Sequence, residues 1–208
     1  MSVASCLKIL HEVAERRSFV LPEHVEERLA RYIDLLALHN ERSNLVGSSD
    51  LRRIADEMVL DALEMVPLMP DHGGTAVDIG SGAGLPGLPL AIWFPNWHFT
   101  LVEPRAKRVH FLSHARRTLQ LTNVTVMEGR MEELGDQCFD AAFAKAVFEP
   151  AVWLERSREV LKPGGFTGLY LNGDAGEYSS LLPSGARVHA YSLLDGRPRL
   201  TAVARVSV

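Results

Sequence analysis

The sequence predicts an α/β fold: a mostly parallel seven-stranded sheet with helices on both faces, a C-terminal antiparallel hairpin and an N-terminal helical extension. Three observations predict it. Residues 1–70 show helical periodicity only. From residue 75 onward, short apolar runs with strand character alternate with helical patterns, which is the signature of βα units in a parallel sheet. The last two such runs are joined by Asp195-Gly196-Arg197-Pro198, a hairpin turn and not a crossover. The expected division is residues 1–70 as the extension and 71–208 as the main domain, within the size of one hydrophobic core plus an addition.

Each element has its own justification. Leu7, Leu10, Val13 and Ala14 form a short apolar stripe. Pro22 suits a first helical turn, and Val25, Leu29, Tyr32, Ile33 and Leu36 continue at helical spacing. Asp50 is an expected N-cap for a helix carrying Leu51, Ile54, Met58, Ala62 and Met65. Expected strands are Thr75–Ile79, Phe99–Glu103, Val124–Glu128, Phe139–Phe143 and Phe166–Leu171, then Arg187–Leu194 and Leu200–Val208 for the hairpin. Helices are expected from near Arg105 and across Pro150–Leu161.

Composition narrows the function classes. With 47% hydrophobic and 23% charged residues, this is an ordinary globular chain. It contains no run of about 18 apolar residues, so no membrane span is expected. Cys6 and Cys138 make no metal-ligand spacing, and reduced thiols in a cytoplasmic protein are the expectation. The net charge of −4 argues against a general nucleic-acid coat but leaves room for a local basic face. Such a face is present at Lys107, His110, His114 and Arg117, thickened by Arg105, Arg108 and Arg116; it reads either as a phosphate contact or as a solvated helix surface.

The most informative stretch runs from Val77 to Pro89, VDIGSGAGLPGLP. An apolar strand ends in Asp78, and glycines follow at 80, 82 and 84 before helical periodicity resumes. Glycine lets the chain turn sharply and lets a ligand approach the backbone, where the next helix presents free N–H groups. A ligand-free tight turn is the plain alternative. Two cofactor classes fit the turn. A dinucleotide motif can be read at Gly82, Gly84 and Gly87, with Glu103 roughly 20 residues on to meet ribose hydroxyls. The register Asp78-x-Gly80-x-Gly82-x-Gly84 fits the strand end better and resembles the first motif of S-adenosylmethionine-dependent methyltransferases. Leu161-Lys162-Pro163-Gly164-Gly165-Phe166 resembles the turn that those enzymes place between a late helix and the following strand.

After the fourth strand, Phe143-Ala144-Lys145-Ala146-Val147-Phe148 occupies the place that faces the transferred methyl in that architecture. No Asn/Asp-Pro-Pro-aromatic motif stands there, and no cysteine follows a proline. No catalytic side chain is therefore assigned. A ring nitrogen with a free lone pair, such as guanine N7, has no proton to lose and needs alignment above all.

At family level, Asp78–Ile92 with Thr100–Leu112 closely resembles the RsmG (GidB) family, the bacterial small-subunit ribosomal RNA methyltransferases G. Asn40-Glu41-Arg42-Ser43-Asn44-Leu45, Val59-Leu60-Asp61, Asn123–Glu133 and Leu194-Asp195-Gly196 resemble further family segments. The resemblance implies a class I, Rossmann-like methyltransferase that uses S-adenosylmethionine, without a metal, to methylate N7 of a guanine in 16S ribosomal RNA. Its partner would be that RNA or the small ribosomal subunit. By motif, the cofactor-binding residues would be Asp78, Gly80, Gly82, Gly84, Leu85, Glu103, Met131, Glu132 and Lys145. Departures from the family pattern gather on the acceptor side. Glu57-Met58 replaces Arg-His, Ala144-Lys145-Ala146 replaces Ser-Arg-Ala, Asn172 replaces a lysine, and Gly196-Arg197-Pro198-Arg199 replaces Gly-Glu-Arg-His. A second reading keeps the cofactor and changes the acceptor to a small molecule or another macromolecule.

Overall fold

The computed structural model describes residues 2–43 and 45–205; Asn44 and the last three positions of the expected final strand lie outside them. Helix α1 (Val3–Arg16) starts where Ser2 accepts a hydrogen bond from the Ser5 amide, and it buries Cys6, Leu10, Val13 and Ala14. Helix α2 (Glu23–Ser43) opens with Glu23 and Glu26 in its first turn, where carboxylates complement the exposed N–H groups. Its face carrying Val25, Leu29, Tyr32, Ile33 and Leu36 is buried. Asp50 caps α3 (Leu51–Ile54) by accepting from the Arg52 amide at 2.9 Å. The helix predicted beyond it is not uniform. A π-helical segment, Ala55–Leu60, separates α3 from α4 (Asp61–Leu63). Such insertions shift the faces that side chains occupy and often mark functional sites.

Seven strands form one sheet in the order β3-β2-β1-β4-β5-β7-β6. They are β1 (Gly74–Ile79), β2 (Trp97–Glu103), β3 (Val124–Glu128), β4 (Phe139–Phe143), β5 (Leu161–Asn172), β6 (Arg187–Ser192) and β7 (Pro198–Arg205). The first five are parallel, and β7 runs antiparallel to both β5 and β6. Helices α5 (Gly87–Trp93), α6 (Ala106–Thr118) and α7 (Pro150–Arg156) lie in the crossovers. The order reverses between β1 and β4, so the crevice beyond their C-terminal ends is the place where an open α/β sheet binds ligands.

One apolar cluster joins α1 and α2 to the sheet through Leu10, Leu29, Ile33, Leu88, Phe99 and Phe111. A second contains Val77, Val102, Trp153 and Leu169. Strand β5 begins at Leu161, inside the segment expected as a turn. The pairing slips there, from Phe139 opposite Leu161 to Ala141 opposite Phe166. The intervening residues bulge, and a Cβ on Gly165 would stand 3.0 Å from the Lys162 carbonyl oxygen and 3.1 Å from that of Asp140. Strand β7 begins at Pro198, a first-residue position that tolerates the missing N–H.

Candidate active site

The crevice is built chiefly by backbone. Where β1 ends, the amides of Gly80 and Ser81 both donate to the Val102 carbonyl, at 2.8 and 3.1 Å, which fastens the turn to β2. The Gly82 amide donates to Glu103 Oε2 at 2.9 Å and the Arg105 amide to Oε1 at 3.0 Å. Arg108 Nη1 lies 3.9 Å from the same carboxylate. Each oxygen thus holds one backbone donor. A carboxylate has about four lone-pair sites, so capacity remains for two hydroxyls. Gly80 has φ +68°, and a Cβ there would stand 2.7 Å from Val147 Cγ2. That position needs glycine for both conformation and space.

Asp78 lies behind the turn, fully buried. Its Oδ2 accepts the Gly87 amide at 3.0 Å, while Oδ1 is buried without a hydrogen-bond partner. Burial pushes the carboxyl up to about 7, against the opposing pull of the Gly87 amide. Tyr32 of α2 donates to the Ala83 carbonyl at 2.7 Å, so α2 pins the glycine turn directly. Gly84 packs inside the turn, where a Cβ would meet Leu88 Cδ1 at 2.4 Å.

The resulting cavity, about 460 Å³, is lined by Gly80, Gly82, Leu85, Glu103, Arg108 and Lys145. Five of the sequence-predicted residues therefore meet there: Gly80, Gly82, Leu85, Glu103 and Lys145. Asp78 and Gly84 stand behind the wall as supports. Met131 is buried in the second apolar cluster, and Glu132 pairs with Arg156 at 2.5 Å; neither lines this cavity. Sequence reasoning missed Val46 and Gly47, which line the cavity, and Tyr32, and it placed Met58 on the acceptor side, whereas Met58 lines this cavity. Only Tyr32 left a signal, as the one hydroxyl in an otherwise aliphatic helical stripe.

A second cavity of about 350 Å³ adjoins the first, with Lys145 and Ala146 lining both. Ala146 holds φ +58°, an uncommon conformation for a non-glycine residue that marks backbone strain at the junction. Lys145 Nζ lies 2.9 Å from Asp61 Oδ2 and 5.8 Å from the Tyr170 ring centroid. Tyr191 donates to Asp61 Oδ1 at 2.7 Å. Deeper in this region Arg17 bonds both Asp56 and Glu64, and His189 meets Glu64 at 2.7 Å. Buried Asp56, Asp61 and Glu64 thus each have a partner from the N-terminal loop, the β4 end or the hairpin.

Two of the departures from the family pattern face each other. Arg197 Nη2 lies 2.7 Å from Glu57 Oε1. An acid stands where the pattern has a base, and a base where it has an acid, so the paired change retains an attraction between helix and hairpin.

The cavity fits an adenosyl ligand on its own evidence. Glu103 offers acceptor capacity at a strand end, Gly80 leaves the wall without a Cβ, and Leu85, Val46 and Met58 supply apolar surface. Residues 25–178 match the GidB family model, described as rRNA small subunit methyltransferase G. The chain belongs to the GidB family. A relative from Burkholderia thailandensis named "Ribosomal RNA small subunit methyltransferase G" is 34% identical over 187 residues, spanning 86% of this chain and 81% of the relative. Among solved structures, a methyltransferase from Pyrococcus furiosus superposes with TM-score 0.58 at 18% identity, covering 87% of this chain and 98% of its own. M. jannaschii TYW2 in complex with AdoMet gives TM-score 0.55 at 14% identity, covering 71% and 76%. The fold is that of class I methyltransferases, as expected, and this GidB-family chain is a methyltransferase. Among the described residues no helix is long and apolar enough to cross a membrane.

Proposed function

We propose that this GidB-family chain transfers a methyl group from S-adenosylmethionine to N7 of a guanine in 16S ribosomal RNA, in the cytoplasm. The observation that carries the reading is the junction of two cavities at Lys145 and Ala146, one cavity with the donor set of an adenosyl site and the other open to an acceptor. The bound cofactor supplies an electrophilic methyl on a sulfonium centre. Glu103 accepts the ribose hydroxyls, and Gly80 and Gly82 let the ligand reach the backbone. Leu85 bounds the apolar part of the cleft. Asp78 and Gly84 hold the turn in shape. Lys145, anchored by Asp61, stands at the methionine end. No side chain need act as base, because guanine N7 has no proton to lose, and the rate comes from alignment of nucleophile, methyl and sulfur.

The basic side of α6 supports an RNA acceptor. Arg105, Lys107, His110 and Arg117 are exposed, and α6 begins at the cavity rim. Phosphate contacts there would orient the RNA without reading its sequence.

The test is calorimetric titration with S-adenosylmethionine beside a Glu103→Ala variant, followed by tritiated-methyl transfer to unmodified small-subunit ribosomal RNA. Wild type binds and transfers, and the variant binds about 100-fold more weakly, the value of two hydrogen bonds to a charged acceptor. Binding without transfer to the RNA would shift the acceptor to another molecule, and lack of binding would overturn the cofactor assignment.

A further inference from the structure

The last three strands close on one short helical turn with polar groups. Tyr170 of β5 donates to the Ala62 carbonyl at 2.8 Å, Tyr191 of β6 to Asp61 Oδ1 at 2.7 Å and Thr201 of β7 to the Glu64 carbonyl at 2.9 Å. Tyr170 and His189 both stand opposite Thr201 in the pairing, and Tyr191 lies two residues beyond His189, so the four share one sheet face. The hydroxyls of Tyr170 and Thr201 meet main-chain carbonyls and dock the turn. Of the three, only that of Tyr191 grips a side chain. That side chain, Asp61, is buried and holds Lys145 at 2.9 Å through its other oxygen.

We infer that Tyr191 is a positioning residue for the cofactor: by holding one oxygen of Asp61 it aims the other at Lys145, and so fixes the ammonium at the methionine end of the site. The inference rests on the reading under Proposed function, from which it takes the place of Lys145. The Tyr191 ring is held as well. Arg17 Cζ lies 5.2 Å from its centroid, and the His189 ring stacks on it at 5.9 Å with planes 17° apart. Burial, and after it the Asp61 charge, push the Tyr191 hydroxyl well above its ordinary value, so it remains a donor at any working pH.

A carboxylate with a donor on each oxygen has its plane fixed, whereas a single donor leaves it free to turn. Asp61 has a competitor close by: Arg199 Nε stands 3.9 Å from Oδ1, the oxygen that Tyr191 occupies. Without the hydroxyl, Asp61 turns toward Arg199 and loosens its hold on Lys145. Lysine carries a point charge on a flexible stem, so an ammonium without a fixed partner must be ordered at the moment of binding, at a cost in affinity. The methionine end of the cofactor carries a carboxylate, the anion that this ammonium meets. The adenosyl end belongs to Glu103 and the glycine turn, which Tyr191 does not line. The loss therefore falls on one end of the ligand.

The experiment titrates wild type, Tyr191→Phe, Thr201→Val and Lys145→Met calorimetrically with S-adenosylhomocysteine and with 5′-methylthioadenosine, which keeps the adenosyl end and lacks the amino-acid end. Tyr191→Phe removes the hydroxyl and leaves the ring. It weakens S-adenosylhomocysteine about 10-fold, while methylthioadenosine binds as it does to wild type, which also reports an intact fold. Lys145→Met shows the same selectivity at about 30-fold, and adding Tyr191→Phe to it costs less than about 2-fold more, because the two act as one unit. Thr201→Val removes a docking hydroxyl that does not touch Asp61, and it binds both probes like wild type. Wild-type affinity in Tyr191→Phe, an equal loss on both probes, or the same selective loss in Thr201→Val overturns the inference. A Lys145→Met chain without the selective loss fails earlier, at the placement of Lys145 under Proposed function, and takes the inference with it.

Discussion

The two cavities are built in different ways. The cavity at the glycine turn draws its turn, its carboxylate and Arg108 from one contiguous stretch, residues 78–108, and the bonds that shape the turn are mostly from backbone amides. The second cavity is assembled from side chains between Glu57 and Arg199, brought together by the sheet order. A turn fastened by backbone amides admits few side chains, although Tyr32, Val46, Met58 and Lys145 still reach it from elsewhere in the chain. A site built from side chains can alter its charges in pairs, as Glu57 and Arg197 do. Two of the expected acceptor-side departures, Met58 and Lys145, line the cavity at the glycine turn as well, so the departures do not sort cleanly between the two cavities.

The comparison breaks most directly at Gly87. A Cβ there would stand 2.2 Å from Leu101 Cδ2 and 2.8 Å from Asp78 Oδ2. Gly87→Ala should destabilise the fold by about 2–3 kcal/mol, as overpacking does in a dense core. Denaturant melts check this, and a midpoint equal to wild type would mean that the turn is looser than its contacts indicate. Asp78 sharpens the same side through pH. Its carboxyl holds a proton up to about 7 in the folded chain, against an ordinary value of 3.8. The unfolded chain binds fewer protons across that window, so this residue lowers stability as pH rises from 3.8 toward 7. The slope is at most about 1.4 kcal/mol per pH unit. Asp78→Asn should flatten that part of a stability–pH profile, and an unchanged slope would remove Asp78 as its source.

On the acceptor side the expected effects are smaller. Glu57→Arg or Arg197→Glu alone places like charges together across the helix–hairpin contact, for a loss of about 1 kcal/mol each. The double reversal should recover part of that loss in thermal melts, short of all of it because Arg53 and Asp195 keep their signs. No recovery would show that the pair is incidental. Smallest is the contribution of α6: Lys107→Gln with Arg117→Gln should reduce the salt slope of RNA binding by about 1 to 2, roughly one for each phosphate no longer neutralised. A slope identical to wild type would return that face to solvent.

Much of this architecture was legible residue by residue. Val124–Glu128 and Phe139–Phe143 form strands at the predicted bounds, and Asp50 caps its helix, because alternation and capping are local physics. The π-helical turn at Ala55–Leu60 left no such mark in the helical spacing of that segment. Lys162–Gly165 has turn composition, yet it lies within a strand because the neighbouring β4 offers a ladder that absorbs a bulge. The burial of Asp56, Asp61 and Glu64 left no mark in the sequence, because Arg17, Lys145 and His189 reach them from distant elements.

By itself the sequence determined the βα order, the glycine turn, the strand-end Glu103 and the family, because each resides in neighbouring residues whose spacing can be counted. Only the tertiary structure decided that Tyr32 props the turn and that Glu57 answers Arg197. Those are contacts between residues far apart in the chain. Burial and pairing there depend on which strand lies beside which, and no local spacing encodes that.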